Sequence, residues 1–113
     1  MLFRSSGIVR PDKLEEVTQA LSRAHVYNLK VAEVRDHSPQ HRESLAWMGH
    51  VVSLPFSIKM EIEVVVHDDD VDEVVGVIMR TARTGAAGDG HVLVVPVEHR
   101  YSIRSGDRDV CEG

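Results

Sequence analysis

Three groups of residues have the types and spacing to do chemistry. The run Gly85-Ala86-Ala87-Gly88-Asp89-Gly90-His91 holds three glycines in seven positions. Glycines let a backbone adopt positive φ and turn its N–H groups inward around anionic oxygens. The same spacing also suits a helix C-cap followed by a tight Asp-Gly turn, and on spacing alone both readings stand. The run is not a P-loop, because no Gly-Lys-Ser/Thr follows and the order is helix to strand. Histidines form the second group, seven in all. His37 and His41 are four apart, with His50, Asp36 and Glu43 nearby. On a helix the first two would share a face and could bind a divalent metal through imidazole nitrogens. Pro39 interrupts such a helix, and no His-Glu-x-x-His pattern occurs, so His37, His41 and His50 form an alternative metal set only. His25, His67 and His99 read as surface or turn residues. The third group, Asp68-Asp69-Asp70, stands before a helical stripe. There, capping of free N–H groups and complementing the helix dipole account for the carboxylates better than a metal does.

Nucleophile chemistry has no residues to rest on. No Gly-x-Ser-x-Gly is present, and Cys111 lies in an acidic tail that disfavours a thiolate. A single cysteine also excludes an internal disulfide and a Cys-cluster metal site. Glu61 and Glu63 share one strand face and read as solvated. The expected class is a binding protein, not an enzyme.

These residues must be positioned by a small scaffold. The chain has 113 residues, one domain's worth, and its ordinary balance of 42% hydrophobic and 27% charged residues is globular. A chain this short buries a modest share of its surface, which points to an oligomer. Nineteen valines favour strands. The net charge of −5 argues against nucleic acid as a partner. No apolar run approaches the roughly 18 residues of a membrane span. The N-terminus is too short for a secretory signal, so a soluble cytoplasmic protein is expected.

Leu2 to Val9 reads as a strand stopped by Pro11. Leu14, Val17, Leu21 and Ala24 then mark one face of a helix over 11–24, with Pro11 in its first turn. Leu29 to Arg35 reads as a half-buried strand. Residues 36–55 show no sustained period, and an irregular connection of that length is usually functional or disordered. Ile58 to Val66 resumes as a strand. Val71, Val74, Val75, Ile78 and Ala82 mark a second helix, expected to end at Thr84-Gly85 with glycine as its left-handed cap. His91 to Val97 and Tyr101 to Arg104 read as strands, and the tail from Ser105 as loose. The predicted fold is α+β and ferredoxin-like, βαββαβ: a four-stranded antiparallel sheet with two helices on one face. The uncovered sheet face calls for a partner subunit.

Ile8 to Val17, Val31 to Val34, Glu63 to Val66, Arg80 to Gly90 and Ile103 to Gly106 resemble the PII signal-transduction proteins, over about residues 7–106 without an obvious gap. The Thr-Ala-x-Thr-Gly-x-x-Gly-Asp-Gly run is the specific part. The resemblance implies a single PII-like domain over 1–113 and a homotrimer with nucleotide clefts between subunits. It implies a long T-loop at about 36–55, a B-loop at 85–91 and a flexible C-terminal tail at 105–113. It places adenine-nucleotide contacts at Leu29, Lys30, Gln40, Val65, Gly88, Asp89, Gly90, His91 and Arg104. It places a second effector at Gln40 and Lys59. The partner-binding part of the T-loop is then Trp47, Met48 and Gly49, docking on a target protein, often a membrane transporter, to which the chain would be recruited.

The departures from that family pattern shape the expected ligand. Asp36-His37-Ser38-Pro39-Gln40 stands where typical members carry Gly-Phe-Gly-Arg-Gln, so a phosphate-binding arginine is Pro39 here. His91 replaces a lysine, and Ser102 replaces the first arginine of an Arg-x-Arg pair that leaves Arg104. A charge-assisted phosphate contact contributes roughly 1.5–3 kcal/mol. The resemblance therefore implies ADP or AMP bound at least as well as ATP, more tightly as pH falls from about 8 towards 6. The uridylylated tyrosine of some members is Val52, which excludes that modification at this position. Altered surroundings of Lys59 argue against nitrogen sensing through 2-oxoglutarate, and the vacated room near Gln40 and Lys59 could take a free carboxylate or bicarbonate as second effector.

Overall fold

A computed structural model of the chain describes residues 1–37 and 44–108. Four long strands, β1 (Leu2–Val9), β2 (Leu29–Asp36), β5 (Ser57–His67) and β6 (His91–Val97), form one antiparallel sheet in the order β2-β5-β1-β6. A two-stranded hairpin, β3 (Ser44–Trp47) and β4 (His50–Ser53), stands apart from it. The helices α1 (Leu14–Arg23) and α2 (Asp68–Ala82) connect β1 to β2 and β5 to β6. Each connection skips one strand, which is the split βαβ order that the sequence predicts.

Both helices pack on one sheet face. Val17 and Leu21 of α1 join Val74, Val77, Ile78 and Ala82 of α2 over Val9, Ile62 and Val64. Gly7 lets Ile78 settle on the sheet, since a Cβ there would lie 3.1 Å from the Ile78 Cγ2. The opposite face has no helix. Leu93 and Val95, paired across from Ser6 and Arg4, remain 54% and 39% exposed on it.

Local chemistry sets the element ends. Pro11 cannot donate a backbone hydrogen bond, and Pro11–Lys13 forms a 3-10 turn that precedes the α-helix proper. α1 ends where Val26 N donates to Leu21 O at 2.9 Å, and His25 takes the left-handed conformation at φ 63. A glycine more often occupies that position. The aspartates of α2 sit in its first turn, where they complement the dipole, but the N-cap residue is His67, with no side-chain cap bond.

Three expectations are corrected. Part of the connection predicted to be irregular is the β3–β4 hairpin, whose two-residue turn has Met48 at φ 48 and Gly49 at φ 80. Both turn positions of a tight hairpin take positive φ. This hairpin is paired outside the four-stranded sheet. α2 ends at Ala82, because Arg83 is extended at φ −70, ψ 129, and Gly85 therefore belongs to the following loop. Tyr101 to Arg104 is no strand: Tyr101 bridges to Arg108 around a turn in which Gly106 N donates to Ser102 O at 2.8 Å. Gly106, at φ 77, reverses the chain onto itself, so residues 105–108 are tied into that turn.

Candidate functional site

The glycine run is organised by one carboxylate. Asp89 accepts hydrogen bonds from Thr84 N and Gly85 N, both at 2.9 Å, from the Thr84 hydroxyl, and from Arg10 Nε at 2.9 Å. The Thr84 hydroxyl, then the Arg10 guanidinium, then the Thr84 N–H hold this carboxyl well below the usual carboxylate range. Arg10 also donates from Nη2 to Ala87 O at 2.6 Å. Gly85, Gly88 and Gly90 have φ of 87, 93 and 93, which glycine tolerates and other residues resist. At Gly90 the constraint is internal, because a Cβ would lie 1.8 Å from the Ile8 carbonyl oxygen of β1.

This loop forms one wall of an open cleft of about 470 Å³, lined also by Asp36, Lys59 and His91. Strand alternation on β5 aims Lys59 at the face away from the helices. The Lys59 residue is only 5% exposed, and its ammonium donates to Gly88 O at 2.9 Å. His91 opens β6 opposite Ile8. A lysine, a histidine and the main chain of a glycine-rich loop therefore line one cleft together with Asp36 and Asp89.

The other expected nucleotide contacts are elsewhere. Leu29 and Lys30 pair with Val64 and Glu63, and Val65 follows on β5. Six residues of strand separate Val65 from Lys59, roughly 20 Å at strand rise. Arg104 lies in the turn beyond the far end of β6. Within one chain Leu29, Lys30 and Val65 therefore lie away from the glycine loop. Gln40, with Pro39 and His41, lies outside the described residues.

Of the expected partner-binding residues, Trp47 pairs with His50, and Met48 at the hairpin turn is 84% exposed. His37 stacks obliquely on Phe56 at 5.6 Å, and Arg35 lies 4.9 Å from the centre of the same ring. Among the described residues no three His, Cys, Asp or Glu side chains converge for a metal. Sequence reasoning missed Arg10 as a site residue. It lies 79 positions from Asp89, and no local pattern signals such a pair.

An antiparallel split βαβ sheet, a glycine-rich loop beside an open cleft and a separate hairpin define the class of protein to compare. The family model for nitrogen regulatory protein P-II matches residues 6–107. The chain is 39% identical over 103 residues to nitrogen regulatory protein P-II of Microchaete diplosiphon, covering 91% of this chain and 92% of the relative. It is 39% identical over 101 residues to nitrogen regulatory protein P-II 2 of Methanothermobacter thermautotrophicus, covering 89% and 88%. A solved structure of Arabidopsis thaliana PII bound to citrate superposes with a TM-score of 0.75 at 30% identity, covering 95% of this chain and 87% of that one. The chain belongs to the P-II family of signal-transduction regulators. Members of that family act as regulators of target proteins and not as enzymes. No helix among the described residues is long and apolar enough to cross a membrane.

Proposed function

We propose that this chain is a trimeric sensor that binds AMP or ADP at least as well as ATP and passes the signal to a membrane transporter through residues 36–55. The observation that carries this reading is the glycine loop held open by Arg10, Asp89 and Lys59 beside His91. The distance of Leu29, Lys30 and Val65 from the glycine loop supports an intersubunit cleft, which the ends of two different chains would complete. The uncovered sheet face supports the same assembly. Pro39 and Ser102 cannot supply positive charge, so a γ-phosphate is desolvated with little to meet it. Bicarbonate, as second effector, would have to take the Lys59 ammonium from Gly88 O; the citrate-bound plant relative is consistent with small carboxylates on this scaffold. Nucleotide would bias the order of the hairpin segment, which presents Trp47, Met48 and Gly49 to the transporter from the cytoplasm.

Calorimetric titration with AMP, ADP, ATP and zinc, at pH 6 and pH 8, tests this function, with light scattering for the assembly. The expected result is a trimer with AMP and ADP affinities equal to or above that of ATP, all stronger at pH 6 than at pH 8. A stable monomer, or ATP preferred strongly and independently of pH, overturns the reading. Heat with zinc and none with nucleotide favours the metal alternative through His37, His41 and His50.

A further inference from the structure

An aspartate is an unexpected residue in a loop that receives phosphate. The Asp89 carboxylate lines the same cleft as Lys59 and His91, where an unbalanced negative charge repels an anionic ligand. Four donors engage it, and one of them, Arg10, is cationic. Arg10 uses its second branch on Ala87 O, so a single guanidinium ties both the carboxylate and the main chain of the loop. The two side chains are 28% and 23% exposed, which shields the pair in part from water. Pro11 restricts the residue before it to extended backbone, and Arg10 is found at φ −62, ψ 142. The side chain thus leaves a fixed point at the end of β1 to reach the loop.

We propose that Arg10 is the positioning and charge-cancelling residue of the phosphate cleft: it sets the anion affinity of the glycine loop by holding and neutralising Asp89. This rests on the nucleotide-binding reading above. The proposal separates two effects. Positioning acts on every nucleotide alike. Charge cancellation acts in proportion to ligand charge, because the carboxylate repels each added phosphate charge again. A second charge at roughly 8 Å in a water-like medium weakens binding about twofold.

The test titrates the full chain and its R10Q, R10K, D89N and R10Q/D89N variants with AMP, ADP and ATP. Amide hydrogen exchange over 84–91 is followed without ligand. In R10Q the ATP-to-AMP affinity ratio falls about fivefold, for two extra ligand charges. In R10Q/D89N the ratio returns to its wild-type value, although all three affinities are lower. R10K keeps the charge but not the two-branched grip, so its ratio stays near wild type while exchange in the loop accelerates. Equal weakening of all three nucleotides by R10Q, or a ratio not restored in R10Q/D89N, overturns charge cancellation. Unchanged exchange in both R10Q and R10K overturns positioning. If the wild-type chain binds none of the three nucleotides, the proposed function falls. In that case accelerated exchange in R10Q still supports the hold of Arg10 on the loop, and unchanged exchange refutes it.

Discussion

Gly90 and Gly85 allow backbone strain and steric collision to be measured apart. Both have positive φ, 93 and 87, so alanine at either position meets the left-handed penalty of about 1–2 kcal/mol. At Gly85 nothing lies within 4 Å of the added Cβ, and the penalty stands alone. At Gly90 the Cβ would also fall 1.8 Å from Ile8 O and 2.8 Å from Ile8 C. Those atoms belong to the central strand and cannot rotate away. Either the glycine loop lifts or β1 shifts, and forced overpacking of this kind adds about 1–3 kcal/mol or more. Gly85→Ala should therefore cost about 1–2 kcal/mol and Gly90→Ala about 2–5 kcal/mol. For a urea m-value of about 2 kcal/mol/M these are midpoint shifts of roughly 0.5–1 M and 1–2.5 M. Both variants are compared with the parent by urea denaturation at one protomer concentration, since assembly contributes to apparent stability. Equal midpoints for the two variants would refute the collision, and with it the placement of the loop against β1.

Ser5 is fully buried, and its hydroxyl has no hydrogen-bond partner. Ser5→Ala should therefore stabilise the chain by about 1 kcal/mol in the same denaturation assay; a loss of stability would reveal a bond that the hydroxyl makes. His25→Gly should gain about 0.5–1 kcal/mol in thermal or urea unfolding, because glycine occupies the left-handed helix end without strain. The folded-state pKa of Asp89 is depressed, so its contribution to stability is complete above the unfolded carboxylate value of about 3.9 and is lost as pH falls further. Unfolding measured from about pH 5 down to pH 2 should show a shallower decline for Asp89→Asn than for the parent. Parallel declines would mean that the carboxylate is not held in the folded state.

What could be read from the sequence is what the core enforces. Val17 and Leu21, or Val74 and Ile78, must share a helix face to be buried, so their spacing shows directly. The strand β2 shows for a different reason: Val31 and Val34 favour extended backbone, whereas within one chain neither face of this edge strand is buried and Val31 is 44% exposed, which corrects the expected half-buried face. The β3–β4 hairpin pairs outside the four-stranded sheet, and only Met48-Gly49 signals its turn. Tyr101 to Arg104 has strand-forming residues, but the reversal at Gly106 decides its shape. In the site, the glycines and Lys59 could be named from the chain alone. The hold on Asp89 could not, because Arg10 meets it only after β1 and β6 have paired.

The place of β1 in the sheet governs how the molecule must be made. It is the first strand synthesised, yet it is an inner strand, and its partners are β5 and β6. At 5–20 residues per second, the roughly eighty residues from Val9 to His91 take about 4–16 s to emerge from a ribosome. During that interval α1 can coil, but Val17 and Leu21 lack the β5 and α2 residues that will bury them. A nascent chain stalled before His91 carries a sticky, half-built layer, and it is there that holdase chaperones or quality-control proteases have their opening. Truncations inside β6 should thus be degraded or aggregate instead of accumulating as partly active fragments.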